Sequence, residues 1–299
     1  MTRRIALGLN AVIVAVTADE PRVLTVGRDG RDGLPYGPLD PDRHPTLELG
    51  LRDWVRGQTG LQPGYVEQLY TFGDRDRDPG GGDRHLSIVY LALAREAPTL
   101  SGAGWRPIYD YLPWEDWREG RPAMLRREIE PALSRWAAGA GTARLSRCQV
   151  AFGLGGAPWD GERALKRYEL LYEAGLIDES GAGAARGVRG RAMILDHRRM
   201  LATALSRVRG KIRYRPVIFE LLPELFTLWQ LQRVAEALAG QRLHKQNFRR
   251  LVSHGGLVEA TEKMDRETGG RPARLFRFRA EVVRERPSPG VGLPRLPST

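Results

Sequence analysis

The stretch RLHKQNFRRLVSHGGLVEATEKMDRETGGRPARLFRFR, Arg242 to Arg279, decides how this 299-residue chain is read. Leu243, Phe248, Leu251 and Val252 recur at helical spacing and mark one apolar side from about Leu243 to His254. The other positions, His244, Lys245, Gln246, Asn247, Arg249 and Arg250, are polar or basic. Beyond a glycine pair, Leu257–Thr261 and Ala273–Arg279 alternate as strands do. Thr268, Gly269 and Gly270 supply a turn between them. Just upstream, Thr227 and Gln230 form a capping-box pattern. Leu228, Leu231, Val234 and Leu238 continue it as a helix that Gly240 ends. Two short helices with a tight link, then a two-stranded wing, make a winged helix-turn-helix.

The chemistry of that second helix suits a major groove. Gln and Asn side chains can read adenine edges, Arg and Lys guanine edges, and any cation can hold a phosphate. The expected DNA contacts are Thr227, His244, Lys245, Gln246, Asn247, Arg249 and Arg250, with Arg271 and Arg274 on the wing. Arg277 and Arg279 are expected to help hold the wing near the DNA backbone. Asn247, next to Phe248, is the one that could instead brace the turn. The net charge is +11, and residues 211–280 hold 14 Lys and Arg against 7 Asp and Glu. Charge concentrated at one end points to a polyanion, although an arginine-rich composition gives many basic surfaces without one.

Length suggests two domains. No run of about 18 apolar residues occurs, so no membrane span is expected. The apolar start runs straight into Asp19, Glu20 and Arg22 and reads as a strand. The lone Cys148 excludes an intramolecular disulfide and a multi-cysteine zinc site and fits a reducing cytoplasm. Five scattered histidines form no metal constellation. His197 beside Asp196 reads as the capped start of a long amphipathic helix rather than as a catalytic pair.

Residues 9–28 read as a hairpin, followed by LPYGPLDPDRHPTLELGLRDWVRGQTGL, Leu34 to Leu61. This segment resembles a Nudix box, whose pattern is G-x5-E-x7-R-E-U-x-E-E-x-G-U with U aliphatic. Aligned on Gly60 and Leu61, the Arg-Glu pair falls on Asp53 and Trp54, and the adjacent glutamates fall on Gly57 and Gln58. Divalent ions need clustered oxygen ligands, so the box has kept its helix and lost its metal. Glu48 and Asp53 remain acidic, but they are not two clustered carboxylates at the right positions. The strand–loop–strand of Gly64–Leu93 is similar to Nudix-type domains that bind ADP-ribose.

Together the ends resemble the Nudix-related transcriptional regulators of NAD biosynthesis, of the longer alphaproteobacterial type. The resemblance is carried by Met193–Gln232, Leu243–Val252 and Gly269–Phe278. It implies an α+β chain: a Nudix-like α/β/α sandwich with a helical insertion, followed by a winged helix-turn-helix. The expected domains are an effector-binding unit at 1–210, holding an inserted, partly helical block at 111–190, a DNA-binding unit at 211–280, and a disordered tail at 281–299. The implied function is a dimeric cytoplasmic, nucleoid-associated repressor. It would bind a palindromic double-stranded operator and sense NAD, ADP-ribose or ATP without a required cofactor. The expected effector contacts are Tyr36, Gln68, Tyr70, Arg75, Arg77, Arg84 and Trp114. The alternative is a working Nudix pyrophosphohydrolase acting on ADP-ribose or a related nucleotide. Within the insertion, Leu125, Ile129, Leu133 and Trp136 predict one helix, CQVAFGL a strand, and DGERALKRYELLYEAGLI a second helix.

Overall fold

The computed structural model describes residues 5–28, 30–74, 84–139, 141–181, 190–266, 272–285 and 289–291. Strand β1 (Ile5–Thr17) organises the first half, and β2 (Glu20–Arg28) returns beside it. Ala18 and Asp19 both have positive φ, as a two-residue hairpin turn matching the strand twist demands. Short strands β3 (Arg31–Gly33) and β4 (Tyr36–Pro38) follow. Then come helix α1 (Leu47–Thr59), β5 (Tyr65–Phe72), β6 (Arg84–Leu93) and β7 (Ala103–Pro107). The sheet order is β3-β2-β1-β6-β5, with β4 also on β1 and β7 also on β2. β1 and β6 are parallel along their shared length, Ile5 opposite Arg84 to Val14 opposite Leu93.

Both sheet faces are covered. Leu51 and Val55 of α1 pack on Leu9, Ala11, Ile13 and Tyr90. The opposite face, with Val12, Val14, Val89 and Leu91, packs on α6 (His197–Tyr214) through Met200, Leu201, Leu205 and Val208. This is the expected α/β/α sandwich. Before α6 come α2 (Ile108–Tyr111), α3 (Glu130–Ala137), α4 (Thr142–Phe152) and α5 (Ala164–Glu173). Among the described residues, the regular elements of the insertion are helical. CQVAFGL is not a strand: Cys148 and Phe152 lie on the buried side of α4, and Gly153 ends it in the left-handed conformation. Leu125, Ile129 and Leu133 are buried on one side as expected.

The C-terminal part holds α7 (Leu228–Ala239), α8 (Lys245–His254), β8 (Val258–Asp265) and β9 (Ala273–Phe278). β8 and β9 pair antiparallel from Val258 opposite Phe278 to Asp265 opposite Ala273. A single hydrophobic core runs from the sheet through α6 into α7, α8 and the wing, so the two expected domains share packing. The segment 281–299, expected to be disordered, holds α9 (Val282–Glu285), and Val291 is buried with its N–H on the Ile212 carbonyl. Apolar Val282 and Val291 give that segment something to bury. Among the described residues, no helix is long and apolar enough to cross a membrane.

Candidate functional site

The basic helix is built as a presenting surface. Phe248 and Val252 of α8 are buried, as is Leu243 just before it, fixing one side in the core. Lys245, Gln246, Arg249 and Arg250 are exposed, as is His244 at the N-cap. Among the described residues, Lys245, Arg249 and Arg250 enter no ion pair. Asn247 is half-buried and accepts a hydrogen bond from Arg250 (3.1 Å), so it braces the helix surface it was expected to present.

Thr227 is not placed to touch DNA. It is buried, and its hydroxyl and backbone close the capping box with Gln230. Cap geometry consumes the side chain that polarity alone had suggested was free. Trp229, two residues on, is 57 % exposed and was not foreseen. On the wing, Arg274 is exposed opposite Met264, while Arg271 lies outside the described residues. Arg277 instead pairs with Glu259 across the strands. Arg279 pairs with Glu285 and donates to the Gly256 carbonyl (2.9 Å). These two arginines hold the wing together. The wing is docked by the backbone pair of Phe226 with Phe276 and by Phe219 stacked on Phe278 at 4.4 Å.

The Nudix-like half tells a different story. Helix α1 is capped by Thr46 and closed by Gly60 in the left-handed conformation, as the box requires. Of the positions that carry charge in the Nudix pattern, Asp53, Trp54 and Gln58 are engaged with other groups. The Gln58 side chain clamps Tyr36: the Tyr36 N–H donates to Oε1 (3.0 Å) and Nε2 donates to the Tyr36 carbonyl (2.7 Å). An ionised glutamate, which only accepts, could not make the second bond. Trp54 donates from Nε1 to the Pro38 carbonyl (2.9 Å) and lies flat against Gly37, where a Cβ would come within 2.2 Å of the ring. Asp53 is taken up by Arg56, Arg43 and His44, and Glu48 by Arg52. Gly57 faces open space. Among the described residues, no three of His, Cys, Asp and Glu gather as a metal would need. Gly57 and Gln58 offer no carboxylate at the two box positions where the Nudix pattern has adjacent glutamates.

The expected effector residues separate into groups. Tyr36, Asn10, Val89 and Tyr70 form one register row across β4, β1, β6 and β5. That row faces α6: the Tyr36 ring stands edge-on to His197 at 5.2 Å, and the Asn10 side chain meets His197 Nε2 at 3.2 Å. Tyr70 is 56 % exposed. Gln68 points the other way. A β-bulge between Gln68 and Tyr70 sets Gln68 opposite Tyr90 and Tyr70 opposite Val89, which face opposite sides of the sheet. Arg84 is exposed and donates to the Gly73 carbonyl (2.8 Å). Arg75 and Arg77 lie outside the described residues. Trp114 is fully buried and cannot offer a stacking face to a ligand. A hollow of about 700 Å³ opens between Tyr65, Lys211, Arg215, Phe219, Glu224 and Phe278, but none of the expected effector residues lines it.

The comparisons with known proteins agree with this geometry. Residues 218–278 match the family described as the NrtR DNA-binding winged helix domain. An ADPR responsive transcriptional repressor, NtrR of Acinetobacter baylyi, is 40% identical over 86 residues, which are 29% of this chain and 34% of the relative. In that match the chain spans about a third of the relative's length. Shewanella oneidensis NrtR, solved with a 27mer DNA, shares the fold over 93% of this chain and 95% of its own, with TM-score 0.60 and 22% identity. A MutT/nudix family protein from Enterococcus faecalis matches 93% of this chain and 88% of its own at TM-score 0.55 and 16% identity. The chain thus shares the fold of these two structures over most of its length, and its winged helix at residues 218–278 matches the family model.

Proposed function

We propose that this chain is a ligand-responsive transcriptional repressor of NAD biosynthesis genes, working in the cytoplasm at the nucleoid. The observation that carries this reading is the set of Lys245, Gln246, Arg249 and Arg250, exposed on an NrtR-type winged helix with their cations outside any ion pair among the described residues. Gln246 would read a base edge, and the cations would hold phosphates or guanines. His244, Arg271 and Arg274 complete the proposed interface. The Nudix-like sheet serves as the sensor, with Tyr36 and Tyr70 facing the α6 side of the proposed effector surface. The Acinetobacter relative is described as ADPR responsive, which supports ADP-ribose over NAD or ATP as the first effector to try.

The sensor does not turn its ligand over in this reading. Gln58 and Trp54 occupy the carboxylate positions with bonds of their own. Incubation with ADP-ribose and Mg²⁺ should release no AMP, and AMP production at ordinary enzyme rates would favour a pyrophosphohydrolase instead. Gln58→Glu should not create an enzyme. It should lose the donor to the Tyr36 carbonyl and lower stability by about 1–3 kcal/mol, read by chemical denaturation.

The working form proposed is a symmetric homodimer on a palindromic operator. Two recognition helices would then sit about 34 Å apart, one turn of DNA, or at a multiple of that. Light scattering should give twice the chain mass, and a monomer both free and on DNA would contradict the proposal.

A further inference from the structure

The last carbonyls of a helix have no partner within it. In α7 two of those carbonyls, and the carbonyl of Gly240 just beyond them, are met from outside the winged helix. The Tyr109 hydroxyl donates to the Ala237 carbonyl (2.6 Å), and Arg209 Nε donates to the Leu238 carbonyl (3.0 Å). The Trp117 N–H donates to the Gly240 carbonyl (2.7 Å). Gly240 has φ +68, and a Cβ on it would stand 2.4 Å from the Glu115 carbonyl oxygen and 2.8 Å from the Tyr109 hydroxyl. The junction is therefore closed around a glycine. Only residues 241–244 separate it from α8.

Arg209 is itself fixed. Its guanidinium meets the Glu115 carboxylate, the Glu115 carbonyl (3.0 Å) and the Gly161 carbonyl (3.0 Å). Arg209 stands near the end of α6, twelve residues or about 18 Å of helix beyond His197. At that other end, the Leu34 N–H donates to His197 Nδ1 (2.9 Å), and Tyr36 rests its ring edge-on to the imidazole. One helix thus touches Tyr36 of β4 at its start and the link that leads into α8 near its end. A helix of this length moves as a body when one end is displaced, because packed elements shift between arrangements rather than deform.

We propose that α6 is the lever that carries effector occupancy to DNA affinity, with Arg209 and Tyr109 as the positioning residues that transmit it. The proposal rests on the reading of the chain as a nucleotide-responsive DNA binder. It also gives the insertion a role, since Glu115 and Trp117 belong to it and complete the junction.

The test is operator binding by the full-length wild type, Tyr109→Phe and Arg209→Lys, each with and without saturating ADP-ribose. The affinity for ADP-ribose is measured alongside by calorimetry. Tyr109→Phe keeps the ring packing and removes one hydroxyl, while Arg209→Lys keeps the charge and removes the fork. For the wild type, ADP-ribose should change the operator Kd by about fivefold or more. In either variant that ratio should collapse towards one, with ADP-ribose still bound at wild-type affinity. A lowered melting temperature with the wild-type ratio intact would mean a structural contact only, and would overturn the proposal while leaving the repressor reading in place. If ADP-ribose, NAD and ATP all leave the wild-type operator Kd unchanged, the repressor reading fails and the lever fails with it.

Discussion

Replacing Glu115 by alanine is expected to destabilise the protein by about 3–5 kcal/mol, the cost typical of stranding buried charge. Glu115 is 1 % exposed, and Arg167 and Arg209 beside it are 0 % and 3 % exposed. Arg167 forks onto the carboxylate at 2.5 and 2.7 Å, lies over Trp159 at 3.8 Å, and also donates to the Ala151 and Asp160 carbonyls. Removing the carboxylate leaves two buried guanidiniums with backbone carbonyls, the Trp159 ring and the Tyr109 hydroxyl but no carboxylate in contact. Chemical denaturation at pH 7 measures the loss. The charge component has a definite pH signature. Burial alone would raise the Glu115 carboxyl, but the two guanidiniums outweigh it and hold the group below its ordinary value of 4.5. A depressed carboxylate stabilises the fold above its unfolded pKa and loses that contribution as pH falls through its folded one. The stability gap between wild type and Glu115→Gln should therefore be full at pH 7 and narrow only below about pH 4.5. A gap that stayed constant into acid would mean that Glu115 acts through shape alone.

The second large effect belongs to the recognition helix. Arg249→Ala with Arg250→Ala removes two exposed cations that make no ion pair among the described residues, so little stability should change. DNA affinity should change a great deal. If both arginines hold phosphates, the salt slope of binding should fall by about two, and all sequences should weaken alike. Titrations at several salt concentrations give the slope directly. Arg277→Ala should differ: Arg277 is engaged with Glu259, so its loss should loosen the wing rather than remove a phosphate contact.

The parts of this molecule that were legible in the sequence are those written in local signals. The Thr227–Gln230 cap, the left-handed Gly240 and the period of Leu231, Val234 and Leu238 lie within one helix, and the structure reproduces each. The Nudix-like helix is equally local, from Thr46 to Gly60. What was hidden is long-range. Glu115 meets partners 52 and 94 residues away, and no periodicity announces that. The Gln58 clamp reaches back 22 residues to Tyr36, so the sequence displayed a lost glutamate and not the bond that replaced it. Polarity alone could not distinguish Thr227, used inside its own cap, from Gln246, left in the open. Trp114 was misjudged because an aromatic platform and a core tryptophan look the same in a sequence. In α4 the buried Cys148, Ala151 and Phe152 have helical spacing, a local signal for a helix.

Whether α8 reads DNA is tested most directly by one measurement. Wild type and Gln246→Ala are titrated against a palindromic operator and a shuffled duplex of equal length at fixed salt. The wild type should prefer the operator, and Gln246→Ala should lose about 1–3 kcal/mol on it while binding the shuffled duplex as before. Equal binding of both proteins to both duplexes would contradict the account and leave the winged helix as a protein-contact module.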